Sequence, residues 1–427
     1  MKGATKHVLI LLAIGALILF TNLGVPRLWD RDEPRNAGCA AEMIARGDWV
    51  VPWFNDELRT HKPVLLYWLI MVAYSMFGMN EFSARFGSAM LGLGTIVWTY
   101  AIGSRLFNPR IGLLAGIVLA STLMFDVASR AATPDSSLIF FVTASVGAFV
   151  LGVFPNRQAT GEALAAKAGA ESQIASPGIL SLAAEDWRIS LPAAIGVYGM
   201  MAMAVLAKGP VGLVLPAAII GLFVAIARSE VLRGSEPATS WFANVVRVLS
   251  PMHLLGCAIR LRPVAALIVV LLIAAPWYIA VGVRTDGEFL RGFLWEHNFS
   301  RAMESREGHG GGLWFYPLAI LAGFFPWSVF ALPTAIGVIR SWRRSDDYAT
   351  RAALILLIGW CAIWVGAFSL AKTKLPSYVT PCYPAIAVLV AFTLVGWMDR
   401  WQERAPSISS AWVVPAFAVL SLIGIAL

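Results

Sequence analysis

The sequence predicts an all-α fold, a polytopic bundle of about 11 transmembrane helices, and three observations carry that expectation. Of the 427 residues, 58% are hydrophobic and only 14% are charged, with 17 Trp among them. A soluble domain of this length could not hide so much apolar surface in one core. Apolar runs of about 18 or more residues also recur along the chain, the length that crosses a bilayer as a helix. Finally, the excess of 33 Lys+Arg over 25 Asp+Glu, a net +8, is gathered in loops between those runs. Positive charge placed this way orients cytoplasmic loops and gives no pointer to nucleic acid.

The expected spans, in order, are 7–24, 85–106, 111–129, 137–154, 190–206, 211–228, 264–282, 313–339, 352–370, 377–397 and 411–427. Lys2 and Lys6 precede the first run as they would in a signal sequence, yet Thr21-Asn22-Leu23-Gly24-Val25-Pro26 offers no small-residue cleavage site. It is therefore expected to remain as a first helix with its N-terminus inside. The stretch from Val64 to Phe77 is short for a span and rich in Tyr and Trp, which suits an interfacial helix. Leaving it out of the count places the arginine-rich loops at Arg105/Arg110, Arg228–Arg262, Arg340–Arg351 and Arg400/Arg404 on the cytoplasmic side. Counting it as a span would reverse all of them, against the positive-inside rule.

In that topology the outer face receives the loop 25–84, the turn at Arg130–Ser136, the turn at Lys208–Pro210, the loop 283–312 and the turn at Lys372–Pro376. The cytoplasmic segment 156–189, rich in Ala, Gly and Ser, is expected to be a linker. Leu427 falls inside an apolar run, so either the chain ends as a helix or the sequence is a fragment of a longer protein. Cys39, Cys257, Cys361 and Cys382 show no CxxC or Cys/His zinc spacing, so thiol chemistry is not the centre of function.

The chemistry-bearing residues lie on the outer face. Asp32-Glu33-Pro34 reads as the first turn of a helix with acidic residues capping it. The same carboxylates could instead take a proton or steer a polar substrate at the membrane surface. Lys62, in His61-Lys62-Pro63, either snorkels to the interface or binds the phosphate of a lipid lying in the bilayer. Asp135 fits a helix N-cap, but shares a face with Asp32. His297 and Arg301 stand four apart, and His297 with His61 could offer two nitrogens to a metal. Lys372 and Lys374 run against the positive-inside bias; an anionic headgroup or phosphate would account for them, and Lys208 repeats the pattern more weakly. Carboxylates beside cations at lipid depth suit a lipid-phosphate substrate.

Taken in order, Arg31-Asp32-Glu33-Pro34-Arg35, Gly47-Asp48-Trp49, His61-Lys62-Pro63, Leu66-Tyr67-Trp68, Thr133-Pro134-Asp135, Lys208-Gly209-Pro210, Glu296-His297-Asn298 and Ala371-Lys372-Thr373-Lys374-Leu375-Pro376-Ser377-Tyr378 resemble one family. It is the GT-C fold, polyprenyl-phosphate-sugar-dependent glycosyltransferases, and within it the lipid A aminoarabinose transferases and the dolichyl-phosphate-mannose-protein mannosyltransferases. The likeness runs from about residue 28 to about residue 390. It implies inverting transfer of a pentose or hexose from a polyprenyl-phosphate carrier to a lipid or protein acceptor at the outer face of the cytoplasmic membrane. Lipid A modification and protein glycosylation are the two settings it points to. Asp32 would be the catalytic carboxylate with Glu33 beside it, and Asp135 the second acid of that face. Lys62 and Arg301 would hold the donor phosphate, with Lys208, Lys372 and Lys374 as further cations. No cofactor is required. Where the aminoarabinose transferases usually carry Glu before Lys-Pro this chain has His61, so a divalent metal such as zinc would meet a His61/His297 pair. The alternative from another class is a transporter or flippase of a lipid-linked or polar solute, which would place ionisable residues nearer the bilayer midplane.

Overall fold

The computed structural model describes residues 2–29, 31–155, 182, 186–233, 241–299, 312, 314–345 and 347–404. The chain begins with α1 (Lys2–Phe20), the surface helix α2 (Asp32–Ala45), a two-residue hairpin β1 (Trp53–Phe54) and β2 (Glu57–Leu58), and α3 (Leu65–Phe77). Then come α4 (Glu81–Leu106), α5 (Pro109–Ala120), α6 (Leu123–Arg130), α7 (Pro134–Val153), α8 (Leu191–Lys208) and α9 (Val211–Arg233). The amphipathic pair α10 (Trp241–Val248) and α11 (Pro251–Arg260) leads to α12 (Pro263–Arg284). The last part holds α13 (Phe315–Gly323), α14 (Ala331–Arg344), α15 (Tyr348–Leu370) and α16 (Tyr383–Arg404).

Eight helices among the described residues are long and apolar enough to span, and two bent pairs raise the number to ten. The protein is a multi-pass membrane protein with a helical bundle, as its composition requires. Ten of the expected runs correspond to these helices, while 411–427 and nearly all of 156–189 lie outside the described residues. Val64–Phe77 is the 13-residue helix α3, about 20 Å long at 1.5 Å per residue and short of the roughly 30 Å hydrocarbon layer.

Two of the expected spans, 111–129 and 313–339, are bent. The first bends by 67° between α5 and α6, and the second by 118° between α13 and the helical stretch from Trp327 to Arg344. The breaks meet in space. Trp327 donates its indole N–H to the Ser121 hydroxyl at 2.9 Å, and the Leu123 N–H donates to the Phe325 carbonyl at 3.0 Å. Backbone freed at one break is thus satisfied by the other, the condition for irregular chain at membrane depth.

The core forms where α7 packs on α8, α4 lies between α5 and α7, α8 meets α12, and α16 closes against α5. Small residues permit these approaches: a Cβ on Gly103 of α4 would stand 2.9 Å from Cα of Gly112 on α5. The bundle has two chemically different ends. One gathers α2, the start of α4, the α6–α7 turn, the end of α8 and the segment before α16. The other gathers Arg105, Arg110, Arg340, Arg344 and Arg400.

Candidate active site

Helix α2 is the platform of the first end. Asp32 and Glu33 occupy its first turn as expected, but the N-cap is Arg31, without a side-chain cap bond. Glu33 and Asn36, three apart on one face, both point inward and are buried. Arg85 of α4 grips Glu33 through two parallel bonds, Nε to Oε1 at 2.9 Å and Nη2 to Oε2 at 2.7 Å. The backbone N–H groups of Trp29 and Ala132 donate to the same carboxylate at 2.6 and 2.7 Å. Burial alone would push the Glu33 carboxyl up; the Arg85 bonds and the two backbone donors outweigh it and hold it below its ordinary value. Arg85 spends its other N–H groups on the carbonyls of Leu23, Pro26 and Arg27.

Ala132 is clamped from both sides, since its carbonyl accepts from the Asn36 amide at 2.9 Å while its N–H serves Glu33. Asn36 is in turn held by Arg59 at 3.1 Å, and Arg59 also donates to Tyr67 at 3.1 Å. This network welds the N-terminus of α2 to the α6–α7 turn, and Asp32 and Asp135 come to line one cavity of about 480 Å³. Glu33, expected as a second catalytic carboxylate, has its oxygens committed to four donors and acts as the weld.

Asp32 is different. It is exposed to the cavity and makes no hydrogen bond or ion pair to a described residue, so its carboxylate is open to a ligand. Across the cavity Asp135 lies in the first turn of α7, where Thr133 is the N-cap. The expected capping role for Asp135 is therefore replaced by an ion pair with Lys208 at the end of α8. Lys62 and Ser377 lie beside Asp135, and Lys208 Nζ stands 5.0 Å from the Tyr378 ring centre. Gly209 ends α8 at φ +80°, and a Cβ there would meet the Phe293 ring at 2.5 Å.

Of the expected cations, Lys62 and Lys208 line the cavity, joined by Arg130, which also donates to the carbonyls of Ile18 and Thr21. Lys372 and Lys374 do not line it, which corrects their grouping with the phosphate ligands. Lys372 is exposed, whereas Lys374 is buried and donates to the carbonyls of Gly312 and Ser369 at 3.3 and 3.0 Å. The motif instead presents Leu375–Tyr378 to the cavity. His61 is exposed and away from the cavity lining; the His297 side chain and Arg301 lie outside what is described. Among the described residues no group of three or more His, Cys, Asp or Glu could hold a metal ion, and the expected His61/His297 pair falls partly outside those residues.

The sequence reading missed Arg85, Asn36 and Arg59 as parts of this end, and it gave Ser377 and Tyr378 no role of their own. Arg85 carried a signal, because an arginine at the outer end of an expected span opposes the positive-inside bias just as Lys372 does.

The polytopic helical bundle with a carboxylate-and-cation cavity at one end fits the GT-C resemblance that the sequence motifs carry. The comparisons with known proteins bear out that resemblance. Residues 61–169 match the dolichyl-phosphate-mannose-protein mannosyltransferase family. Over 395 residues the chain is 28% identical to the undecaprenyl phosphate-alpha-4-amino-4-deoxy-L-arabinose arabinosyl transferase of Enterobacter sp. (strain 638), covering 92% of this chain and 60% of that protein. The protein of the same name from Yersinia pestis (strain Pestoides F) is 26% identical over 387 residues, with 90% and 58% covered. The crystal structure of ArnT from Cupriavidus metallidurans bound to undecaprenyl phosphate superimposes with a TM-score of 0.69 at 23% identity, covering 99% of this chain and 63% of that one. The archaeal oligosaccharyltransferase AglB from Archaeoglobus fulgidus, in complex with an inhibitory peptide and a dolichol-phosphate, gives 0.53 at 16% identity, with 98% and 54% covered. The chain spans about three fifths of the length of the curated relatives it matches.

Proposed function

We propose that this chain carries the membrane-embedded active site of an inverting glycosyltransferase, moving a sugar from a polyprenyl-phosphate carrier to a lipid or protein acceptor. The observation that carries the proposal is the cavity at one end of the bundle. There an uncommitted carboxylate, Asp32, faces a wall that holds Lys62, Arg130 and the Asp135–Lys208 pair. The fold shared with ArnT and the likeness to the arabinosyl transferases support the same chemistry. The positive-inside bias puts the arginine-rich end in the cytoplasm. The N-terminus is then inside, and the cavity opens on the outer face of the cytoplasmic membrane.

In this mechanism Asp32 accepts the proton of an acceptor hydroxyl as its oxygen attacks the anomeric carbon. The bond from that carbon to the carrier phosphate breaks with inversion, and the polyprenyl phosphate departs as an anion. Lys62 and Arg301 stabilise that anion, which needs fixed positive charge and no nucleophile. With a phosphate acceptor, already deprotonated, Asp32 orients the acceptor. Lys208 reaches the donor only by sharing its charge with Asp135.

The test supplies the purified chain in lipid with labelled polyprenyl-phosphate sugars and lipid or peptide acceptors. Expected is release of polyprenyl phosphate together with labelled acceptor. Vectorial movement of the labelled lipid or a polar solute across the bilayer, with no donor turnover, would overturn the proposal in favour of a transporter.

A further inference from the structure

At the opposite end of the bundle a second cavity, of about 890 Å³, opens between α14, α16 and the start of α5. Its residues fall on one face of each helix: Pro333, Ile336/Gly337, Arg340/Ser341 and Arg344 of α14 follow a three-to-four spacing, and Phe392/Thr393, Val395/Gly396 and Asp399/Arg400 of α16 answer them. The two helices come close because Gly337 has no side chain; a Cβ there would stand 3.1 Å from Thr393 Cγ2.

The cavity is graded along its length. Its inner part is apolar, with Pro333, Ile336, Ile111 and Phe392; its outer part carries Arg340, Arg344, Arg400, Asn108 and Ser341. None of the three arginines makes a hydrogen bond or ion pair to a described residue, whereas Asp399, the one lining carboxylate, is taken by Arg110 at 2.9 Å. The N-terminus of α5, capped by the Asn108 side chain on the Ile111 N–H at 3.0 Å, opens on the same end and adds the positive pole of a 12-residue helix. On the same helices Leu332, Ile339 and the lining Trp397 are exposed at 71%, 52% and 40%, apolar surface beside the cavity that suits contact with lipid.

Loop arginines that only set orientation need no cavity and no apolar continuation. We propose that this groove binds an anionic phospholipid of the leaflet facing the arginine-rich end, its phosphate among Arg340, Arg344 and Arg400 and its acyl chains along the Ile336–Phe392 wall. The amphiphilic grading, with uncommitted guanidinium groups at one end and a lipid-facing wall at the other, matches a phospholipid and not a soluble anion. The site lies at the far end of α4 and α16 from Asp32 and is independent of the transferase proposal.

The test is native mass spectrometry of the purified chain exchanged between phosphatidylglycerol and phosphatidylcholine of matched chains. The wild type is expected to retain phosphatidylglycerol selectively. Replacing Arg340, Arg344 and Arg400 by Gln is expected to lower that selectivity by about fivefold for each arginine removed. Arg343→Gln, on the same helix but outside the cavity lining, is expected to change nothing. If the triple variant does not yield folded protein, Arg340→Gln and Arg400→Gln singly each carry the same expectation. Equal retention of the two lipids, an Arg343→Gln loss as large as that of the lining arginines, or displacement of phosphatidylglycerol by inorganic phosphate would each overturn the proposal.

Discussion

Two neighbouring carboxylates on α2 have opposite fates because of the direction each faces. Glu33 turns into the protein, where Arg85 and two backbone N–H groups saturate it, and Asp32 turns to the cavity with no hydrogen bond or ion pair to a described residue. Removing one partner of a buried, hydrogen-bonded ion pair costs about 3–5 kcal/mol. Glu33→Gln is therefore expected to lower the melting temperature of the detergent-solubilised protein clearly, while Asp32→Asn leaves it nearly unchanged; equal effects would refute the division. The pH dependence follows from the same network. The Glu33 carboxyl is held below the ordinary carboxylate value, so its stabilisation is complete above that ordinary value and is lost as pH falls through the lowered folded value. Melting measured from pH 6 downward should show an acid loss that Glu33→Gln flattens. Cys39, in the same helix and buried, has its thiol pushed up to about 12, chiefly by burial, and is expected to react slowly with thiol reagents in the folded protein.

At the scale of elements, the site depends on how α2, α4, the α6–α7 turn and α8 are fastened together. Arg85→Lys keeps the charge but loses the two-pronged grip and the carbonyl contacts to Leu23, Pro26 and Arg27. It is expected to displace Asp32 relative to Asp135, lowering transfer by at least tenfold with a smaller stability change than Glu33→Gln. An unchanged turnover would show that the weld does not position the site. Much of this architecture was legible in the sequence. The runs, the short α3 and the gathering of Asp32 and Asp135 at one end all followed from hydropathy and charge placement. The two breaks did not, because an apolar window reports burial and not direction. Their signals were local: Ser121-Thr122 inside one run and Pro326 inside the other. The fate of Lys374 was equally hidden. Its charge suggested phosphate, and only the fold shows the Gly312 and Ser369 carbonyls that take it.

The whole molecule is a bundle with a mixed-charge cavity at one end and an arginine-lined groove at the other. Its orientation is open to a direct check, since the four native cysteines are buried or half-buried and give little background. A cysteine placed at the exposed Glu57, near the Asp32 end, should react with a membrane-impermeant maleimide in intact cells. One at the exposed Arg343 should react only after permeabilisation; the reverse pattern would invert the topology. The central claim is that Asp32 performs the transfer chemistry, and it is tested most directly by comparing wild type with Asp32→Asn in lipid, supplied with a labelled polyprenyl-phosphate sugar and a hydroxyl acceptor. The account predicts that sugar transfer falls by about 10²–10⁴-fold while donor-lipid binding persists. Transfer that survives Asp32→Asn unchanged would contradict it.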